Sequence, residues 1–422
     1  MIGLDRRQAL AGLAGAALAA AAGGRAHAGA PLFRRGASIH NMMNWARVEP
    51  ADKDRFAFPP FAGKTYETPD AILINLAKAG IDFIRLTVDP GPFLQFEGER
   101  RFALDAMLRA AVRRLLDHGF AVIVDFHPVS QVPAYAPELI TKAIDGPLFL
   151  AYAELMARTA GLLAEMRSPR LALELMNEPQ YGWDGATAAR WQAMLVTLHA
   201  KARAAAPLLP IVLSGARGGD KDGLLALDPA PFRGSDVWWT FHYYAPHVFT
   251  HQGVKGDQGE SRYWRYLSNL PYPAGGGDRA AVLDRIARNV AEDSSLNVLQ
   301  RGVALRGAKA AATAYMDSGF DRRAVWRDFR AVADWASRHG VDPARILLGE
   351  FGVTRTYGPY RASDDAARES WLTDVRVEAE ANGFAWAIWA VTGYGGMALV
   401  ETDDAVSFDP VQLRALGLRV SA

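Results

Sequence analysis

Cleaving a carbon–oxygen bond with a poor leaving group takes one residue that hands a proton to the departing oxygen. It takes a second that attacks the carbon or activates a water, and a pair of carboxylates can supply both functions. Two glutamates in the 422-residue sequence are placed for such work. Glu178 lies in Glu174-Leu175-Met176-Asn177-Glu178-Pro179 and Glu350 in Gly349-Glu350-Phe351-Gly352, each just beyond a short apolar run that reads as a buried strand. Four more apolar runs end in groups that bind or orient. They are Arg85-Leu86-Thr87-Val88-Asp89, Asp125-Phe126-His127-Pro128, Phe241-His242-Tyr243-Tyr244 and Trp386-Ala387-Ile388-Trp389. Taken singly, any of these residues is as readily a surface charge, a cap or a core side chain; it is their shared position at strand ends that carries the argument.

A scaffold must bring these ends to one place. Strand-like runs occupy residues 36–40, 83–86, 121–126, 171–176, 211–214, 237–241, 346–348 and 385–389, with helical patterns such as 103–117, 147–166, 187–205 and 366–381 between them. Eight strands, each followed by a helix, predict an α/β fold of the closed (β/α)8 barrel type. An open doubly wound sheet competes, but no glycine-rich phosphate loop follows the first strand. Residues 246–320 break the rhythm. They carry a Pro/Gly-rich piece, residues 271–277, and then Val282, Ile286 and Val290 on one helical face. The expectation is an insertion on the active face of a single domain spanning 30–420. The C-terminal ends of barrel strands form one mouth, so Glu178 on the fourth strand and Glu350 on the seventh are expected to face one another.

The ordered set Asn177-Glu178-Pro179, Glu350-Phe351-Gly352, His242-x-Tyr244, Arg85, His127 and Trp389 resembles family 5 of the glycoside hydrolases, from about Arg35 to Trp389. That retaining (β/α)8 clan includes cellulases and mannanases. The resemblance implies that Glu178 is the acid/base and Glu350 the nucleophile. Asn177 would then bind the 2-hydroxyl of the substrate, Tyr244 would donate to the nucleophile, and Arg85 would favour its charged form. His127 and His242 would hydrogen-bond sugar hydroxyls or the catalytic pair, and Trp389 would offer a flat apolar face to the sugar. Trp45, Tyr181 and Trp183 are further platform candidates, and Asp125, inside a strand, needs a buried partner. Among the aromatic and imidazole groups of the insertion (His247, His251, Tyr263, Trp264, Tyr266 and Tyr272), Trp264 is expected to shape the substrate sites.

The most specific expectation is an endo-β-1,4-glucanase working on polysaccharide by double displacement, with β-mannanase or β-1,3-glucanase as alternatives in the same family. A non-catalytic sugar-binding barrel is a remote alternative, disfavoured because both glutamates are present. A metal-dependent barrel hydrolase is disfavoured because none of the 9 histidines forms His-x-His, so no metal and no cofactor are expected. Lys and Arg number 47 against 46 Asp and Glu, a net charge of +1, which gives no support to a nucleic-acid partner. The chain lacks cysteine, so disulfides and thiol chemistry are excluded. At the N-terminus, Arg6-Arg7, the apolar run 9–22 and Ala26-His27-Ala28 read as a signal peptide over residues 1–28, partly matching the twin-arginine pattern. The expected product is a monomer in the periplasm or outside the cell, off the membrane once the signal is cleaved.

Overall fold

A computed structural model describes residues 32–256, 259–357, 360–392, 396–402 and 405–419; the expected leader, 1–28, lies outside the described residues. Eight parallel strands close into a barrel: β1 (Arg35–Met43), β2 (Phe83–Val88), β3 (Ala121–Phe126), β4 (Leu171–Glu174), β5 (Ile211–Ser214), β6 (Val237–His242), β7 (Ile346–Glu350) and β8 (Ala385–Ile388). Each pairs with its neighbours in sequence, and β1 closes the ring against β8. Every residue of β2 and β3 is buried, because the barrel interior covers one face and a ring of helices the other.

Several helices start where a side chain supplies an oxygen acceptor for their first amides. Asp184 accepts from Thr187 N in a capping box before Gly185–Ala205, and Asp364 accepts from Ala367 N at the start of Asp365–Ala381. Helix Arg322–His339 buries Val325, Phe329, Val332 and Trp335 and stops at Gly340, whose φ of 67° is the left-handed cap that glycine adopts at no steric cost. Trp335 packs edge-on to Trp239 on β6 at 5.4 Å, fixing that helix to the barrel wall.

The insertion contains a short helix His247–Thr250, a 3-10 stretch Gly259–Tyr266 and helices Arg279–Glu292 and Val298–Asp317. Val282, Ile286 and Val290 are buried as the pattern predicts, and they join the same apolar core as the barrel. Its tyrosines fasten it down. Tyr266 donates to Asp293 at 2.8 Å, Tyr315 to the Pro271 carbonyl at 2.6 Å, and Tyr272 to Asp374 on helix Asp365–Ala381 at 2.8 Å.

Of the strand ends that differ from the sequence pattern, two bear on the site. Ladder pairing of β1 runs on past His40 to Met43, through a register shift between Ile39 and Met43. β4 stops at Glu174, two residues short of the apolar run, because the chain lifts off the ladder towards Glu178, which has a φ of 41°.

Candidate active site

The floor of the site is a buried ion cluster built by register. Asp125 on β3 pairs with Thr87 on β2 and with Glu174 on β4, which sets the two carboxylates side by side, two residues further along the barrel than Arg85, within reach of its long side chain. The guanidinium of Arg85, fully buried, donates through Nε and Nη2 to the two oxygens of Glu174, both at 2.8 Å, and through Nη2 to Asn177 Oδ1 at 2.8 Å. Its Nη1 reaches Glu350 Oε1 at 2.7 Å, and Asp125 lies 3.0 Å from Nη2. Burial works against the charge on Arg85, but Asp125, Glu174 and Glu350 around it hold the proton firmly, well above the usual arginine range. Asp125 thus has the partner a carboxylate inside a strand needs; burial still pushes it up to about 7. Glu174 had no signal of its own beyond lying three residues before Asn177-Glu178-Pro179.

Glu350 ends β7 and is 4% exposed. Its two oxygens have separate donors, Arg85 at 2.7 Å on Oε1 and the Tyr244 hydroxyl at 3.0 Å on Oε2. Glu178 accepts or shares a proton with His242 Nδ1 at 2.8 Å, and the same nitrogen lies 3.6 Å from Glu350 Oε2. One oxygen from each glutamate and a ring nitrogen of His242 all fall within 4.8 Å of one another. That reach would also suit a cation, but Glu350 is already met by a guanidinium and a phenol. Glu178 opens a third of its side chain to the cleft, yet it sits in the enclosed mouth away from bulk water. Desolvation there pushes it up to about 7, against the pull of Arg85. Its left-handed backbone is a conformation costing roughly 1–3 kcal/mol in a non-glycine residue. Gly219 faces it, where a Cβ would come within 3.3 Å of Glu178 Cγ and 3.5 Å of His242 Nδ1.

The walls hold the remaining expected residues. His127 Nδ1 lies 2.9 Å from Asp125, and its Nε2 lies 3.2 Å from Asn177 Nδ2. Since the amide oxygen of Asn177 accepts from Arg85, its nitrogen faces the ring, which makes His127 Nε2 the acceptor and puts the ring proton on Nδ1. Burial, outweighing the pull of Glu350, drops His127 to about 3 and keeps it neutral. Trp389 stacks on His127 at 5.5 Å and 12°. Trp45 donates to His40 Nε2 at 2.7 Å, on a loop residue with φ of 50°. Together with Glu178, Tyr244 and Glu350, these rings line a cleft of about 340 Å³.

Some expected contributors stand elsewhere. Tyr181 lies under Arg190 at 4.6 Å and Trp183 under Arg217 at 5.2 Å, and neither lines the cleft. Trp264 also stays out of it, packing obliquely behind His251 at 6.4 Å. The ring of the insertion that does reach the cleft is His251, joined by Val254, Thr354 and Met397. His251 was among the insertion groups named from the sequence; Val254, Thr354 and Met397 were not, because loop segments, not strand ends, carry them.

Comparison with known proteins agrees with this geometry. The profile of Cellulase (glycosyl hydrolase family 5) matches residues 42–395. Endoglucanase 3 of Fibrobacter succinogenes is 22% identical over 371 residues, covering 84% of this chain and 49% of that protein. The chain therefore spans about half the length of that curated relative. Among solved structures, Thermotoga maritima Cel5A in complex with cellobiose superposes with a TM-score of 0.62 at 18% identity, over 91% of this chain and 97% of its own. The cellulose synthase subunit Z of Clostridioides difficile gives 0.60 at 21% identity, over 91% and 99%. With the family profile spanning most of the barrel and eight parallel strands closed around the paired glutamates, the chain belongs to glycosyl hydrolase family 5, the cellulase family.

Proposed function

We propose that this enzyme is a retaining endo-β-1,4-glucanase in which Glu178 is the acid/base and Glu350 the nucleophile. The observation that carries the reading is the carboxylate spacing. An oxygen of each glutamate lies within 4.8 Å of the other. Carboxyl groups about 5–5.5 Å apart leave no room for a water between carboxylate and sugar, whereas inversion needs about 6.5–9.5 Å.

In the first step Glu178, held at about 7, gives its proton to the glycosidic oxygen as that bond breaks. Glu350, oriented by Arg85 and Tyr244, attacks the anomeric carbon and forms a glycosyl ester. Glu178, now a carboxylate, takes a proton from water, which opens the ester with a second inversion. Asn177 keeps one amide hydrogen for a substrate hydroxyl after its contact with His127, and Trp389 presents a ring face to the sugar.

The preference for β-1,4-glucan rests on the curated relative, named an endoglucanase, and on the cellobiose complex of a protein with the same fold. Export follows from Arg6-Arg7 and Ala26-His27-Ala28, with residues 1–28 removed and 30–420 released as the catalytic domain to the periplasm or beyond. Reducing-end release across soluble β-1,4-glucan, β-1,3-glucan and β-mannan, with Glu350→Gln as the blank, tests the substrate. Highest kcat/KM on mannan or β-1,3-glucan would overturn the glucanase assignment.

A further inference from the structure

Thr250, fully buried at the start of the insertion, ties three parts of the site together. Its hydroxyl donates to the Tyr244 carbonyl at 2.7 Å, and its carbonyl accepts from Thr354 N at 2.8 Å. The same hydroxyl lies 3.0 Å from His251 Nδ1. A hydroxyl has one proton, already given to Tyr244, so towards His251 it accepts and Nδ1 carries the ring hydrogen. Nε2 of His251 is then a bare lone pair. Burial and the adjacent His247 push His251 down to about 3, so the ring stays neutral at working pH.

Thr354 adds an independent observation. It is 1% exposed and lines the cleft, yet its Oγ1 makes no hydrogen bond among the described residues. A buried hydroxyl without a hydrogen-bond partner is destabilising, because it has left water and gained nothing in return. Against Tyr266, Tyr272 and Tyr315 of the insertion, each with a partner for its hydroxyl, this group is left waiting. His251 and Thr354 border the same cavity as Glu350 and Tyr244, and Val254 and Met397 flank them with apolar surface. An acceptor and a hydroxyl bordering one cavity with apolar residues suit an O–H group, which donates to one and accepts from the other.

We propose that His251 and Thr354 form a hydroxyl-reading corner. It fixes one hydroxyl of the sugar unit lying over Glu350 and so helps select which β-linked sugar is cleaved. This rests on the hydrolase reading above. The selectivity comes from the loops after β6 and β7, not from the strand-end residues.

The test is a chemical double-mutant cycle. The substrates are an aryl β-disaccharide of the sugar the polysaccharide panel favours and its mono-deoxy analogues. The enzymes are the full chain, Thr354→Val, His251→Leu and His251→Gln. Thr354→Val and His251→Leu should each lower kcat/KM on the parent substrate by about 3- to 15-fold, the worth of one hydrogen bond. His251→Gln, which keeps an acceptor, should recover part of the loss. One mono-deoxy analogue should be cleaved poorly by the wild type yet lose nothing more in Thr354→Val. If the losses multiply for every analogue while melting temperatures stay level, the corner does not touch substrate and the inference falls. If the wild type cleaves no member of the panel, the hydrolase reading fails and takes this one with it.

Discussion

Raising the pH is the gentlest perturbation of Glu178. Enclosure in the barrel mouth holds its carboxyl at about 7, and only the protonated form can deliver a proton to an unactivated leaving oxygen. The folded value is raised, so the working form is complete below it and is lost as pH rises through it. At about pH 9 roughly 1% of the acid remains, a fall of about 100-fold in kcat/KM on polysaccharide, or about 2.7 kcal/mol of barrier. The profile of kcat/KM is the right assay because it reports the free enzyme. Run in parallel, a 2,4-dinitrophenyl glycoside should show a much shallower alkaline limb, since its leaving group needs no proton. Glu178→Gln should cost about 10²–10⁴-fold on polysaccharide, far less on the dinitrophenyl substrate, and leave a flat profile above neutrality. Asp125 is also held at about 7, fully buried beside Arg85 and His127. An alkaline limb that survives unchanged in Glu178→Gln would therefore belong to Asp125 and would refute the assignment of the acid.

Glu350→Gln keeps the volume of the side chain but cannot form an ester, so turnover should drop more than about a thousandfold with the melting temperature nearly unchanged, read by calorimetry beside the rate. Arg85→Met leaves Glu174, Asp125 and Glu350 buried without their shared cation, and should cost about 3–5 kcal/mol of stability in denaturant titration. That deficit should shrink on acidification, as the abandoned carboxylates take up protons in the folded state; a deficit that grows in acid would contradict the charge argument. Replacing Arg6 and Arg7 together by lysine should hold the enzyme in the cytoplasm if export uses the twin-arginine route, as cell fractionation would show.

The barrel was legible because its strands are short apolar runs with their chemistry at one end, as in Ala121-Val122-Ile123-Val124 leading into Asp125-Phe126-His127. That Glu178 and Glu350 would meet at one mouth was legible for the same reason. Arg85 could be placed near a carboxylate, but that it also grips Glu174 and Asn177 depends on barrel register, which pairs positions far apart in the chain. The insertion resisted for a different reason. Tyr263, Trp264, Tyr266 and Tyr272 look like platforms by composition, while three-dimensional packing spends Tyr266 and Tyr272 on Asp293 and Asp374 and sets Trp264 behind His251. Thr354 carries no pattern at all; its place in the cleft follows from a backbone bond to Thr250, a hundred residues upstream.

In the proposed double displacement Glu350 bonds covalently to the sugar. An activated 2-deoxy-2-fluoro glycoside slows hydrolysis of the glycosyl ester more than its formation, so the ester accumulates. Mass spectrometry of the intact protein and then of its peptic peptides reads where it sits. One sugar per chain on Glu350, lost on adding an acceptor sugar as activity returns, is the predicted result. A label on Glu178, or steady turnover of an activated substrate with no adduct and an α-configured first product, would contradict it.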